Sequence, residues 1–283
     1  VQKTRGRNGE KTTPNWLETA QFVFCLRWPD RRIIVARRVL VIGGTSQLGQ
    51  ALIRRLVERG DRIVFNGRNL KTGGSLAEET GASFFACDYL NPGAVEHIVG
   101  QAVSQLNGLD GLVLAGGLLH VARISETSDA AWDKVLENNL IAPFRIVRAA
   151  MWALSRDDGG AIVTVASGTA TRPEFELGAY SVAKRAVHWM TNMFAIEGAP
   201  KGVSANTVCP GDLEGGMASI CDEPQVRDLG EPFVPPAGAL TSAEDVAKSI
   251  IFLLSASPGL TGASLTVDGG LRAALRANKV HQG

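Results

Sequence analysis

From Val39 onward the chain alternates two kinds of hydrophobic pattern. Short runs that are almost wholly apolar, "RVLVIGG", "DRIVFNG", "ASFFACD", "LDGLVLAGG" and "GAIVTVAS", end in small or polar residues. Between them lie segments with apolar positions three or four apart, such as "LGQALIRRLVERG" with Leu48, Leu52 and Leu56. A continuous apolar run suits a strand covered on both faces, and the longer period marks a helix with one apolar face. Strands that alternate with helices lie parallel, with the helices crossing over the sheet. The pattern therefore predicts an α/β fold with a doubly wound parallel sheet in a single domain. Later helices are expected over Asp129–Asn139, Pro143–Leu154, Tyr180–Glu197 and Ala243–Leu254, and a last strand over Ser264–Val267.

The two ends stand outside this alternation. The first 38 residues hold nine Lys/Arg against three Asp/Glu and lack periodicity beyond an apolar patch around Trp16–Trp28. Residues 1–37 read as a loosely packed N-terminal extension that contributes little to a site, residues 38–270 as the α/β domain, and 271–283 as a C-terminal tail. Within the domain, Gly211–Leu240 is rich in Gly and Pro and has no clear period. Connections of that length are usually functional lids or disordered, and 211–240 is read as a lid.

Composition narrows the partners. A formal net charge of +1 over 283 residues gives no electrostatic reason to expect nucleic acid or an anionic membrane. Small molecules become the default. The four cysteines, Cys25, Cys87, Cys209 and Cys221, lack CxxC spacing and accompany four histidines, so neither a disulfide framework nor a metal site is expected. No apolar run approaches the roughly 18 residues of a membrane span. A soluble, cytoplasmic protein is expected.

Two clusters carry candidate chemistry. "VLVIGGTSQLGQALI" (Val39–Ile53) has the strand–loop–helix outline in which glycines let backbone N–H groups approach a pyrophosphate at the positive end of a helix. Gly43, Gly44 and Gly49 can serve, while Gln47 stands where glycine is usual. Its N–H survives, so the donor is kept. The second cluster is "YSVAK", with Tyr180 and Lys184 four apart at the start of an apolar-periodic helix and hence on one face. A nearby ammonium stabilises phenolate and is expected to draw the phenol toward the working range. Ser167 closes the strand "GAIVTVAS", where ligands bind in such sheets, and Asn139 sits inside a helical pattern where asparagine often marks a break or a buried hydrogen bond.

Together and in this order these residues resemble the short-chain dehydrogenase/reductase family over nearly all of Val39–Gly270. The resemblance implies a Rossmann fold. It also implies a nicotinamide cofactor held by Gly43, Thr45, Ser46, Gln47, Leu48 and Gly49 at the phosphates. Asp88 of "CDYL" and Gly116 of "LAGG" would lie further along the cofactor, with Pro210, Gly211 and Leu213 of "NTVCPGDL" beside the nicotinamide. Tyr180 is implied as general acid/base, Ser167 as a hydrogen-bond donor to the substrate oxygen, Lys184 as a partner of both phenol and ribose, and Asn139 as the anchor of a proton-relaying water. The chain departs from the family pattern at Gln47, at Leu114, where a bracing asparagine is usual, and at Gly215, where a threonine is usual.

The implied activity is hydride transfer between nicotinamide and a carbonyl or secondary alcohol on a small molecule. A 3-oxoacyl-[acyl-carrier-protein] reductase is the alternative within the class, and a non-catalytic dinucleotide sensor the alternative outside it. NADP(H) is preferred over a possible NAD(H): Gly67 stands where an NAD site puts a carboxylate, making room for the 2′-phosphate, and Arg68 offers it a cation. The substrate pocket is assigned to Gly168–Ala179 and the lid, with Arg172, Glu174, Phe175 and Met217 as candidate contacts. The resemblance further implies a homodimer or homotetramer.

Overall fold

The first strand, β1 (Arg38–Ile42), is central in a sheet whose other members all run parallel to it: β2 (Arg62–Gly67), β3 (Ser83–Ala86), β4 (Gly111–Leu114), β5 (Ala161–Val165), β6 (Ser204–Pro210) and β7 (Ser264–Val267). Their order is β3-β2-β1-β4-β5-β6-β7. The computed structural model describes residues 36–156, 159–217, 235–256 and 258–274. Nearly all of the N-terminal extension, residues 218–234 of the lid and 275–283 of the tail lie outside them.

Burial on both faces explains the apolar runs. Leu40 and Ile42 of β1 share one core with α3 (Ala94–Leu106) and α5 (Ala142–Leu154), while Val39 and Val41 share another with α1 (Gln47–Glu58) and the last helix, α7 (Ala243–Ser255). The remaining helices are α2 (Leu70–Thr80), α4 (Asp129–Leu136) and α6 (Gly178–Gly198). Side chains at the helix starts satisfy first-turn N–H groups: Ser46 accepts from Gly49 at 3.0 Å, Asn69 from Thr72 at 3.0 Å, and Ser242 from Asp245 at 3.1 Å.

The structure refines several expected boundaries. The segments over Asp129–Asn139 and Pro143–Leu154 are not separated by a loop: a π-helical turn, Glu137–Ile141, joins α4 to α5. Asn139 lies in that turn, so the asparagine marks a change of helical pitch. Arg38–Ile42 pairs with β2 on one side and β4 on the other. The connections that leave β1 and β4 therefore run in opposite directions, toward β2 and toward β5, and doubly wound sheets bind ligands at the carboxyl edge where the strand order reverses in this way.

Candidate active site

The glycine loop is a close backbone crossing. Gly43 adopts φ +83, and a Cβ there would lie 2.6 Å from the nitrogen of Gly116, so the loops after β1 and β4 touch. A Cβ on Gly49 would collide with the carbonyl of Gly43. Only glycine permits this packing. Thr45 and Ser46 complete the turn, the Ser46 hydroxyl donating to the Gly43 carbonyl at 2.8 Å, and Leu48 is buried in the core. Gln47 and Leu48 open α1, where N–H groups have no acceptor within the helix, and the first turn holds no acid. That donor set fits a pyrophosphate. The Gln47 carboxamide points across the crevice to Gly215, which has φ +65; a Cβ on Gly215 would lie 3.2 Å from Gln47 Nε2. The two departures from the family pattern are thus neighbours.

At the ends of β2 and β3 the structure corrects one expectation. The space beside Gly67 is filled by the Thr45 side chain, which a Cβ on Gly67 would strike, so this glycine is explained by packing rather than by room for a phosphate. Arg68 is two-thirds exposed, with Nη1 3.9 Å from a carboxylate oxygen of Asp88. Asp88 also accepts from the N–H of Leu90 at 3.0 Å. Two neighbours escaped the sequence reading. Asn66 is fully buried, accepting from Gly43 N at 3.4 Å and donating to the Cys87 carbonyl at 2.7 Å, and so ties the glycine loop to the end of β3. Tyr89 places its hydroxyl 3.0 Å from where a Gly116 Cβ would stand. A polar side chain ending the apolar run "IVFNG" was the available signal for Asn66.

Tyr180 and Lys184 do share one face of α6, and both are buried at 5% and 3% exposure. Lys184 Nζ lies 5.6 Å from the Tyr180 ring centroid and donates to the Val165 carbonyl at 3.0 Å. Asn139 Nδ2 donates to the carbonyls of Leu118 and Val135, both at 2.9 Å, and its Oδ1 accepts from Leu118 N at 3.2 Å. A Cβ on Gly117 would lie 3.0 Å from Asn139 Oδ1 and 3.2 Å from Lys184 Nζ, so these two groups converge on the loop after β4. Ser167, in extended backbone after β5, accepts from Thr169 N at 3.2 Å, and its hydroxyl acts on the Tyr180 phenol, favouring the ionised form. Pro210 ends β6, Gly211 N donates to the Val267 carbonyl at 2.9 Å, and Leu213 bridges to Thr241. The elements thus bring Asn139, Ser167, Tyr180 and Lys184 together from three segments of the chain: the π-helical turn, the end of β5 and α6.

Burial acts on both members of the Tyr180–Lys184 pair. Burial pushes the Tyr180 phenol above its ordinary value; the Ser167 hydrogen bond opposes this, and the carboxylates of Asp212 and Glu174 add to it. Burial also lowers Lys184, to about 8. The dry environment that holds both groups penalises phenolate and ammonium alike. At neutral pH Tyr180 carries its proton.

Asn139→Ala removes three hydrogen bonds and unpairs both backbone groups of Leu118. A stability loss of about 1–3 kcal/mol is expected, measured by urea denaturation. An unchanged midpoint and slope would show that water satisfies those groups equally well.

Comparison with known proteins gives a consistent picture. A family model described as enoyl-(acyl carrier protein) reductase matches residues 43–272. The chain is similar to 3-oxoacyl-[acyl-carrier-protein] reductase FabG of Vibrio cholerae, with 28% identity covering 82% of this chain and 96% of that protein. It is also similar to acetoacetyl-CoA reductase of Allochromatium vinosum, with 28% identity covering 84% and 99%. Among solved structures, the F189W actinorhodin polyketide ketoreductase with NADPH superposes with a TM-score of 0.79, at 26% identity over 85% of this chain and 99% of that one.

Proposed function

Because this chain belongs to the short-chain dehydrogenase/reductase family of oxidoreductases, we propose that it is an NADP(H)-dependent enzyme interconverting a carbonyl and a secondary alcohol on a small molecule. The convergence of Tyr180, Lys184, Asn139 and Ser167 at the strand ends, beside an acid-free helix start, supports this most directly. The nicotinamide supplies or accepts the hydride when bound. In the reductive direction Tyr180 gives its proton to the developing alkoxide, and Ser167 donates a hydrogen bond to the same oxygen. Lys184 spends one donor on Val165 and has others for ribose hydroxyls. Asn139 fixes Leu118 and, with Lys184, borders the path by which water returns the proton. The phosphates would lie on Gly43, Thr45, Ser46, Gln47, Leu48 and Gly49, with Asp88 and Gly116 toward the adenosine and Pro210, Gly211 and Leu213 toward the nicotinamide.

A 3-oxoacyl thioester is the second reading for the substrate, supported by the names of the two relatives above. A panel of ketones, 3-oxoacyl thioesters and secondary alcohols, followed by nicotinamide absorbance with both cofactors, tests the proposal. NADPH-dependent reduction of a ketone or thioester is expected. Tight NADPH binding with no turnover across the panel would instead leave a dinucleotide sensor.

The preference for NADP(H) is supported by Arg68, whose loose 3.9 Å approach to Asp88 leaves the guanidinium able to turn toward a phosphate. Arg68→Ala should narrow the NADPH over NADH preference by about 1.5–3 kcal/mol, the range for a hydrogen bond to a charged group. Dissociation constants for both cofactors, on wild type and variant, check this; equal wild-type affinities would remove Arg68 from the site. A second copy of the chain is the proposed partner in a cytoplasmic homo-oligomer, supported by the exposed Phe144 and Trp152 on α5 and Trp189, Met193 and Ile196 on α6. Among the described residues no helix is long and apolar enough to cross a membrane.

A further inference from the structure

Residues 271–274, where the C-terminal tail begins, are tied to the domain through Arg272. Beyond β7 the chain turns on two left-handed glycines, Gly269 and Gly270, while buried Asp268 accepts from Gly270 N at 2.9 Å and from Arg272 N at 2.8 Å. The turn returns Arg272 to the carboxyl edge of the sheet. There its side chain is 12% exposed, pairs with the Glu174 carboxylate and donates through Nη1 to the Arg172 carbonyl at 2.6 Å. Its guanidinium lies against Gly168, the residue after Ser167: a Cβ at Gly168 would stand 2.5 Å from Nη2, 2.6 Å from Nε and 2.8 Å from Cζ. Glu174 is one of the two carboxylates whose field reaches the Tyr180 phenol. Arg272 also acts electrostatically on Cys209 at the end of β6.

One guanidinium therefore packs against the start of the 168–174 loop, which follows Ser167, and binds its end at Arg172 and Glu174. Nε has no hydrogen-bond partner among the described residues and, with Nη2, is the part of the guanidinium that lies against Gly168. We propose that Arg272 is a positioning residue for the proton-donating centre, holding the Ser167–Gly168 backbone and the Glu174 carboxylate in fixed places around Tyr180. Its role in this proposal is exerted through the loop and the Glu174 carboxylate. The inference rests on the oxidoreductase reading above.

The test uses the full chain, with NADPH and ethyl acetoacetate or the best substrate of the panel. Arg272→Met should lower kcat by about ten- to a hundredfold, as small misplacements of catalytic groups do, while the Kd for NADPH, read by its fluorescence, stays nearly unchanged. Arg272→Lys, which keeps the charge on Glu174, should recover part of kcat. Gly168→Ala, whose methyl displaces only the far end of a flexible side chain, should reproduce the loss and serves if Arg272→Met does not fold.

A readout independent of turnover comes from fluorine NMR of protein labelled with 3-fluorotyrosine. The chain has two tyrosines, Tyr89 and Tyr180, and Tyr89→Phe assigns them. Arg272→Met should move the Tyr180 resonance and leave that of Tyr89 in place. Unchanged kcat together with an unmoved Tyr180 resonance, in a wild type that binds NADPH and turns over, would overturn the role of Arg272 alone. A wild type that binds no NADPH would overturn the oxidoreductase reading, and this inference with it.

Discussion

Tyr180→Phe is expected to cut turnover by roughly 10²- to 10⁴-fold, the usual contribution of a positioned general acid, while leaving NADPH affinity nearly unchanged. The phenol is buried and is held above its ordinary ionisation range by that burial and by Asp212 and Glu174, with the Ser167 hydroxyl opposing. It is therefore a proton donor throughout the neutral range. Phenylalanine fills the same space on α6 and removes only the transferable proton and its oxygen. Single-turnover kinetics with saturating NADPH isolate the chemical step. A hydride-transfer rate near that of wild type would assign proton donation to another group, and Ser167 would be the first to examine.

Lys184→Met should act on both binding and rate while costing no stability. One ammonium is asked to hold ribose hydroxyls and to sit beside the phenol, so about 1.5–3 kcal/mol of cofactor affinity should go with it, together with most of kcat. The stability expectation follows from the cost of burying a charge. Burial lowers Lys184 from its ordinary 10.5 to about 8. Between those values the unfolded chain holds a proton that the folded chain has released, so this group makes wild-type stability rise with pH across that window. Below about 8 both states are protonated and the whole cost of the buried ammonium is present. The methionine variant should therefore be at least as stable as wild type at pH 7 and should lose that upward slope. Urea unfolding at pH 7 and pH 9.5 measures both effects. A variant markedly less stable at pH 7 would show that the bond to the Val165 carbonyl outweighs desolvation.

Several departures from the family pattern take on physical sense in the folded chain. Gln47 keeps its backbone N–H at the start of α1 and sends its side chain to Gly215, where the absence of a side chain leaves the space. Gly67 is dictated by Thr45 packing across it, which leaves Arg68 as the feature that bears on cofactor choice. The asparagine usual at Leu114 has no counterpart there: Leu114 is core, and Asn139 braces the loop after β4 through Leu118.

The sequence by itself determined whatever depends on spacing within one element. Continuous apolar runs and four-residue periods specified parallel strands and crossover helices, because burial on two faces and on one face impose different repeats. The same periodicity put Tyr180 and Lys184 on one face of α6, and the weak helix former Asn139 marked the π-helical turn. What only the tertiary structure decided depends on which elements the strand order brings together. Glu174 and Arg272 meet across 98 residues because the segments after β5 and β7 converge at one edge of the sheet. No local pattern encodes that meeting. The direction of the Tyr180 shift was likewise beyond the sequence: adjacency of a lysine was legible, but burial acts on phenol and amine together, and burial is a property of everything packed around them.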